Sequence, residues 1–79
     1  MKVMKWITQN NMLVKEFTFT NFKEALQFVN EVGQAAEDIN HHPDILIHSY
    51  KKVKILLYTH SEGRITDRDH TLASIIDEL

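Results

Sequence analysis

The stretch Ile39-Asn40-His41-His42-Pro43-Asp44-Ile45-Leu46 decides the fold, because a helical pattern ends in it and a strand pattern begins. Proline disfavours the helical conformation in the residue before it, here His42, so the helix must end at or just before the paired histidines. The residues after Pro43 include isoleucines, which favour extended structure. The stretch therefore predicts a helix followed directly by a strand, with two histidines at the join.

Before this join the sequence predicts one long helix over residues 22–40. Asn21 is a good N-cap, and Glu24 stands three residues later, in the manner of a capping box. Apolar residues recur behind them at spacings of three and four, the pattern of a helix with one buried face. This apolar stripe consists of Phe22, Ala25, Leu26, Val29, Val32, Ala36 and Ile39.

Two β-hairpins are expected, one on each side of this helix. Residues 2–8 and 12–19 flank Gln9-Asn10-Asn11, where asparagine tolerates the positive φ that tight hairpin turns require. Residues 44–50 and 53–60 make the second pair, with the turn expected at Lys51-Lys52.

A second helix is expected after the loop 61–65. Thr66-Asp67-Arg68-Asp69 has the pattern of a capping box, and apolar residues follow it at helical spacing. The order ββαββα predicts an α+β fold, in which a four-stranded antiparallel sheet has the helices packed on one face. Without a linker or repeat, residues 1–79 are expected to form one domain.

The second hairpin carries apolar side chains on both faces. Val53, Ile55 and Leu57 share one face, while Leu56 and Tyr58 share the other. A sheet with one solvated face alternates more cleanly. Two explanations stay open, either plain β-propensity or a subunit interface on the second face or the edge of the sheet.

The composition excludes several classes of function. The chain has 79 residues, 43% of them hydrophobic and 25% charged, with a formal charge of −2 and its basic residues spread along the chain. Such a distribution lacks the cluster of basic residues that is typical of nucleic-acid-binding proteins. The absence of cysteine excludes disulfides and thiol catalysis. No segment has the length of a signal peptide's apolar run or of a membrane span, so we expect a cytoplasmic protein.

The five histidines fall into two groups. His48, within a predicted strand, and His70, in the first turn of the last helix, are expected to have no chemical role. The topology brings the other three together, because the end of the fourth strand returns to the start of the third. His41, His42 and His60 are therefore expected near one edge of the sheet.

Acid/base chemistry suits these histidines better than metal binding. Adjacent residues on a helix or a strand point in different directions, so an HH pair is poorly spaced for one metal ion. Imidazole has an unperturbed pKa of about 6.5 and exchanges protons near neutrality. Glu37 lies four residues before His41 and, on a continuous helix, shares its face; it either fixes the imidazole or is only a solvated charge.

Several motifs in order resemble the pterin-4a-carbinolamine dehydratase family. The resemblance rests on Glu37-x-x-Asn40-His41-His42-Pro43-Asp44, Tyr50-x-x-Val53, Thr59-His60-x-x-Gly63-x-x-Thr66-x-x-Asp69 and Leu72-Ala73-x-x-Ile76-Asp77, with Phe17-x-Phe19-x-x-Phe22-x-x-Ala25 before them. It implies an α+β fold, a homodimer or homotetramer, and a metal-free lyase without a cofactor. The implied reaction dehydrates 4a-hydroxytetrahydropterin to the quinonoid dihydropterin.

The resemblance also implies roles for individual residues. It makes His41, His42 and His60 the catalytic trio and Glu37 and Asp69 supporting residues of the pterin site. It places Pro43, Thr59, Ser61 and Glu62 along the pterin site. Asp69 has an alternative role, since the third residue of a helix caps it whether or not it touches the site. The chain departs from the family pattern at Ile45-Leu46, Lys51, Arg64 and Ile65.

Two other functions remain open from the sequence. The family includes dimerisation partners of transcription factors, and a small sheet with a second apolar face suits such a role. A pterin protein serving molybdopterin metabolism is the other alternative. The intact histidine trio favours the enzyme, with a small pterin as its substrate and neither nucleic acid nor membrane as a direct partner.

Overall fold

The computed structural model describes residues 5–79 and shows two hairpins, each followed by a helix. The strands are β1 (Ile7–Gln9), β2 (Met12–Thr18), β3 (Asp44–His48) and β4 (Lys52–Leu57), and the helices are α1 (Phe22–Ile39) and α2 (Asp67–Asp77). The strands form one antiparallel sheet in the order β1-β2-β4-β3. The predicted α+β class and the order ββαββα are confirmed.

The first hairpin turns where the sequence predicts. Asn10 and Asn11 have φ values of 53° and 63°, so both central residues of the turn adopt the left-handed conformation that asparagine tolerates. Strand β1 begins at Ile7, later than the predicted start at residue 2. Residues 2–4 of that prediction lie outside the described residues.

The second hairpin turns earlier than predicted. Ser49 and Tyr50 both have φ 52°, and the turn covers residues 49–51 because Lys52 already pairs with His48, so the predicted turn at Lys51-Lys52 is right for Lys51 and wrong for Lys52. Strand β4 ends at Leu57 instead of residue 60, which leaves His60 in the loop beyond the sheet.

The core lies between the sheet and the two helices. Val53, Ile55 and Leu57 alternate along β4 and are fully buried beneath the helices. The apolar stripe of α1 is rotated from the predicted one, since Phe22 is 50% exposed and Leu26 is 42% exposed. Its buried residues are Ala25, Phe28, Val32, Ala35 and Ala36.

Candidate active site

The last turn of α1 directs His41 into the protein. Asn40 adopts the left-handed conformation at φ 52° and ends the helix one residue before the predicted position. The backbone N–H of His41 then donates to the carbonyl of Ala36 at 3.0 Å, a Schellman-type ending. Arg68 donates from its guanidinium to the carbonyl of Asn40 at 2.8 Å, which ties this end of α1 to the start of α2.

The His41 side chain is buried against a carboxylate from the other helix. It is 7% exposed, and its Nε2 lies 2.6 Å from Oδ1 of Asp69, which is fully buried. Oδ2 of Asp69 accepts hydrogen bonds from the Thr59 hydroxyl at 2.7 Å and from the Thr66 backbone N–H at 2.9 Å. One carboxylate therefore connects the end of α1, the segment after β4 and the start of α2.

These contacts keep Asp69 ionised. Burial by itself raises the pKa of a carboxyl group, because it penalises the charged form. The hydrogen bonds from Thr59, His41 and the Thr66 backbone outweigh burial, and together with the charge of His41 they lower the pKa of Asp69 below its ordinary value. An ionised Asp69 is an acceptor only, so His41 donates from Nε2.

The other ring nitrogen of His41 reaches the surface. Its Nδ1 has no hydrogen-bond partner among residues 5–79, and within that range no side-chain nitrogen or oxygen is both buried and unpaired. Neutral imidazole with a proton on Nε2 offers an acceptor at Nδ1. In its neutral form His41 therefore presents one proton-accepting atom to the outside from an otherwise buried ring.

His42 has a carboxylate partner of its own, which differs from the prediction. Glu37 lies against Nε2 of His42 and not against His41. The prediction assumed that α1 continues through His41, but the left-handed Asn40 breaks the four-residue spacing. The His42 side chain is 57% exposed and that of Glu37 70%, so this pair orients an accessible ring and contributes little to stability.

His60 lies in the loop after β4 and is exposed. Its ring meets that of Tyr58 edge to face, with 5.0 Å between the ring centroids. Backbone N–H groups of Glu62 and Gly63 donate to the carbonyl of Thr59, which holds the loop in a tight turn. Within residues 5–79 no hydrogen bond joins His60 to His41 or His42, so the three predicted imidazoles are not one bonded cluster.

A cavity of about 400 Å³ lies between this loop and the start of α2. Three of the predicted pterin-site residues line it, but the three imidazoles, Pro43 and Glu37 do not. The sequence interpretation missed the rest of its lining, including His70, which was expected to have no role. The lining consists of Thr59, Ser61, Glu62, Arg64, Ile65, Thr66, Asp67, Arg68 and His70. The capping pattern at Thr66 and the family motif from Thr59 to Asp69 pointed to this segment in advance, but not to the individual side chains that complete the cavity.

The described part of the chain has neither a cluster of metal-binding side chains nor a membrane-spanning helix. Residues 5–79 contain no group of three histidine, aspartate or glutamate side chains placed to hold a metal ion. None of the helices in that range is both long enough and apolar enough to cross a membrane. Metal-free catalysis stays a prediction.

Comparison with known protein families identifies the family to which the chain belongs. A family model described as pterin 4 alpha carbinolamine dehydratase matches residues 1–79. The chain belongs to the pterin 4 alpha carbinolamine dehydratase family. A relative in this dehydratase family, from Sulfurisphaera tokodaii, is 47% identical over 78 residues, which are 99% of this chain and 83% of that protein. Another, from Thermomicrobium roseum, is 49% identical over 74 residues, or 94% of this chain and 78% of that protein. Both are provisionally named pterin-4-alpha-carbinolamine dehydratases.

Solved structures share the fold of this pterin carbinolamine dehydratase family member. The Brucella melitensis protein described as a transcriptional coactivator/pterin dehydratase superposes with a TM-score of 0.85 at 28% identity, covering 92% of this chain and 79% of that one. A pterin dehydratase-like protein described as a RuBisCO assembly factor of the α-carboxysome gives a TM-score of 0.76 at 24% identity, covering 92% of this chain and 86% of that one, and shows the fold alone.

The family predicted from the sequence motifs is confirmed, and membership in it supports a dehydratase-like function. The individual roles of His41, His42, His60 and the pterin-site residues stay predictions.

Proposed function

We propose that this protein is a lyase that dehydrates 4a-hydroxytetrahydropterin to quinonoid dihydropterin by histidine acid/base catalysis. Family membership supports a pterin substrate. One structural observation carries the catalytic part of the proposal. The adjacent residues His41 and His42 each hold Nε2 against a carboxylate of their own, Asp69 for the first and Glu37 for the second.

The reaction needs one proton donor and one proton acceptor. Protonation of the 4a-hydroxyl lets the bond between C4a and oxygen break, and water leaves. Removal of the proton on N5 supplies the electron pair that forms the double bond between C4a and N5. Imidazole can fill either role near neutral pH, as imidazolium for the first step and as neutral base for the second.

The two carboxylates decide which ring atoms take part. With Nε2 engaged, each imidazole has Nδ1 left to exchange a proton with a substrate. Nδ1 of His41 reaches the surface and the His42 ring is largely exposed, so both are open to a flat ring lying against the end of α1. In this proposal His60 supplies a third imidazole from the loop after β4, and Pro43, Ser61 and Glu62 are further contacts of the pterin, as the family resemblance implies.

A stopped-flow assay tests the proposal. Mixed with 4a-hydroxytetrahydropterin, the native protein should accelerate the appearance of quinonoid dihydropterin over the spontaneous reaction in buffer. The acceleration should survive treatment with EDTA, because protons and not a metal ion promote the loss of water. A progress curve identical to that of buffer alone would contradict the dehydratase proposal. Activity that is lost with EDTA and restored by zinc would instead show a zinc-dependent mechanism.

We also propose that the protein acts as a homodimer or homotetramer, joined through the sheet face that the helices leave uncovered. That face carries apolar side chains at Ile7, Val14, Leu56 and Leu46, of which Val14 is already buried, and also the charged pair Glu16 and Lys54. Ile7 is 56% exposed and Leu46, on the edge strand β3, is 49% exposed. An edge strand with exposed apolar residues is prone to pair with another chain.

Replacing Leu46 with lysine should weaken this association. A lysine at this edge position, opposite Lys54 on β4, would have to lose its hydration within the contact without gaining a partner, so the dimer or tetramer should dissociate. Sedimentation velocity measures the change, with Thr71→Lys on the exposed side of α2 as the control. A native protein that is monomeric, or an L46K variant that associates like the native protein, would contradict the proposed interface.

A further inference from the structure

A buried threonine hydroxyl, that of Thr59, and a half-buried one, that of Thr66, lie behind the carboxylate that holds His41. Thr59 is only 2% exposed, and its Oγ1 lies 2.7 Å from Oδ2 of Asp69 and 2.7 Å from Oγ1 of Thr66. The sequence resemblance expected Thr59 to line the pterin site. In the structure its hydroxyl has both of its partners inside the protein, so it has no donor left for a substrate.

The direction of each hydrogen bond between Thr66, Thr59 and Asp69 follows from the number of protons available. Ionised Asp69 only accepts, so Thr59 must give it the single proton of its hydroxyl. Thr66 must then donate its own proton to Thr59. Oγ1 of Thr66 remains an acceptor, and the backbone N–H of Arg68 occupies it at 3.3 Å. These consecutive hydrogen bonds therefore all point in one donor-to-acceptor direction, from Arg68 through Thr66 and Thr59 to Asp69.

This arrangement fixes the carboxylate that faces His41. Oδ2 of Asp69 receives two donors, the Thr59 hydroxyl and the Thr66 N–H, at 2.7 and 2.9 Å. Oδ1 is left for Nε2 of His41 at 2.6 Å. Each donor on Oδ2 also draws negative charge away from Oδ1, so the hydroxyl of Thr59 moderates how strongly Asp69 holds the proton of His41.

We propose that Thr59, oriented by Thr66, is a positioning residue that acts on His41 through Asp69 and does not bind the pterin with its side chain. This inference rests on the proposed dehydratase function. The nearby charged groups have other partners, since Arg68 donates to the Asn40 carbonyl and Glu37 engages His42. Thr59 thus sets the orientation and proton affinity of the Asp69 carboxylate without touching the reacting atoms.

Steady-state kinetics of Thr59→Val separate positioning from binding. Valine matches threonine in shape but lacks the hydroxyl. We expect kcat to fall at least about tenfold, as for the loss of a hydrogen bond to a charged group, while KM stays near the native value. Thr59→Ser should restore kcat because it returns the hydroxyl, and Thr71→Val, at an exposed site on α2, should match the native protein. A raised KM with native kcat would overturn the inference.

NMR with ¹⁵N-labelled histidine gives a readout that does not depend on turnover. The Nε2 proton that His41 shares with Asp69 should shift in Thr59→Val and in Thr59→Ala, but stay at its native position in Thr59→Ser. The alanine variant keeps the test open if valine prevents folding. An unchanged His41 signal in the folded hydroxyl-free variants would overturn the inference. A native protein without dehydratase activity would instead remove the proposed function, and the His41 signal would still decide whether Thr59 acts on His41.

Discussion

Replacing His42 with alanine should lower the dehydration rate above the spontaneous background by about 10²–10⁴-fold, the usual contribution of one acid/base group. The His42 ring is accessible and is oriented by Glu37, so its removal takes away a proton-exchanging atom from the proposed site. Because the side chain is 57% exposed, the variant should keep its fold, and the loss should appear in kcat. Stopped-flow kinetics with a circular dichroism spectrum of the same sample measure both.

The matched control is His48→Ala. His48 also pairs with a glutamate, Glu16, at 2.6 Å, but the pair lies across the sheet and not at the end of α1. Its replacement should leave the rate near native. Glu37→Gln should fall between the two, since it keeps the His42 ring but weakens its orientation. Equal rates in the His42 and His48 variants would show that a carboxylate-paired histidine at the end of α1 has no special role.

The second large effect concerns stability. Asp69→Asn should lower the free energy of unfolding by about 3–5 kcal/mol, because a hydrogen bond to a charged group contributes about 1.5–3 kcal/mol and a buried donor left unsatisfied costs about 1–3 kcal/mol more. Three donors converge on the carboxylate, and an amide cannot accept from all of them without turning its own donors against one. Urea unfolding measures the loss, with Asp67→Asn, exposed in the same helical turn, as the control. An Asp69→Asn variant as stable as the control would show that the hydrogen bonds to the Asp69 carboxylate do not stabilise the fold.

The loss of unfolding free energy caused by Asp69→Asn should depend on pH. The pKa of Asp69 is lowered in the folded protein, mainly because the hydrogen bonds outweigh burial. The unfolded state therefore binds the proton more readily, and the stability contributed by Asp69 is fully present above the unfolded pKa of about 3.9. It is lost as the pH falls through the folded pKa. The difference between native protein and Asp69→Asn should thus shrink from pH 7 to pH 3, and a difference that grows on acidification would contradict the assignment.

The sequence predicted elements whose causes are local. Asparagine tolerates positive φ, so the turn at Asn10-Asn11 was predictable, whereas Ser49 and Tyr50 adopt the same conformation without a residue type that favours it. There the strand pairing, which joins His48 to Lys52, determines the turn. The buried face of α1 was only partly predictable, because Phe22 and Leu26 continue the apolar pattern although their side chains are largely exposed.

In the site, too, features with local causes were predicted from the sequence, whereas features that depend on tertiary packing were not. The capping box at Thr66 and Asp69 is local and was predicted, and both of its hydrogen bonds are present. That Asp69 also holds His41, 28 residues away in the chain, follows only from the packing of α2 against the end of α1. The partner of Glu37 was predicted wrongly because the helical rule of four residues fails where Asn40 turns left-handed.

The central claim is that two adjacent imidazoles, each oriented by its own carboxylate, move the protons of the dehydration. The most direct measurement compares quinonoid dihydropterin formation by the native protein and by a His41→Gln, His42→Ala double variant. Glutamine at position 41 keeps a donor for Asp69 and removes the proton-exchanging nitrogen. We expect the native protein to accelerate the reaction and the folded double variant to follow the spontaneous rate. Substantial acceleration by the double variant, or none by the native protein, would contradict the claim.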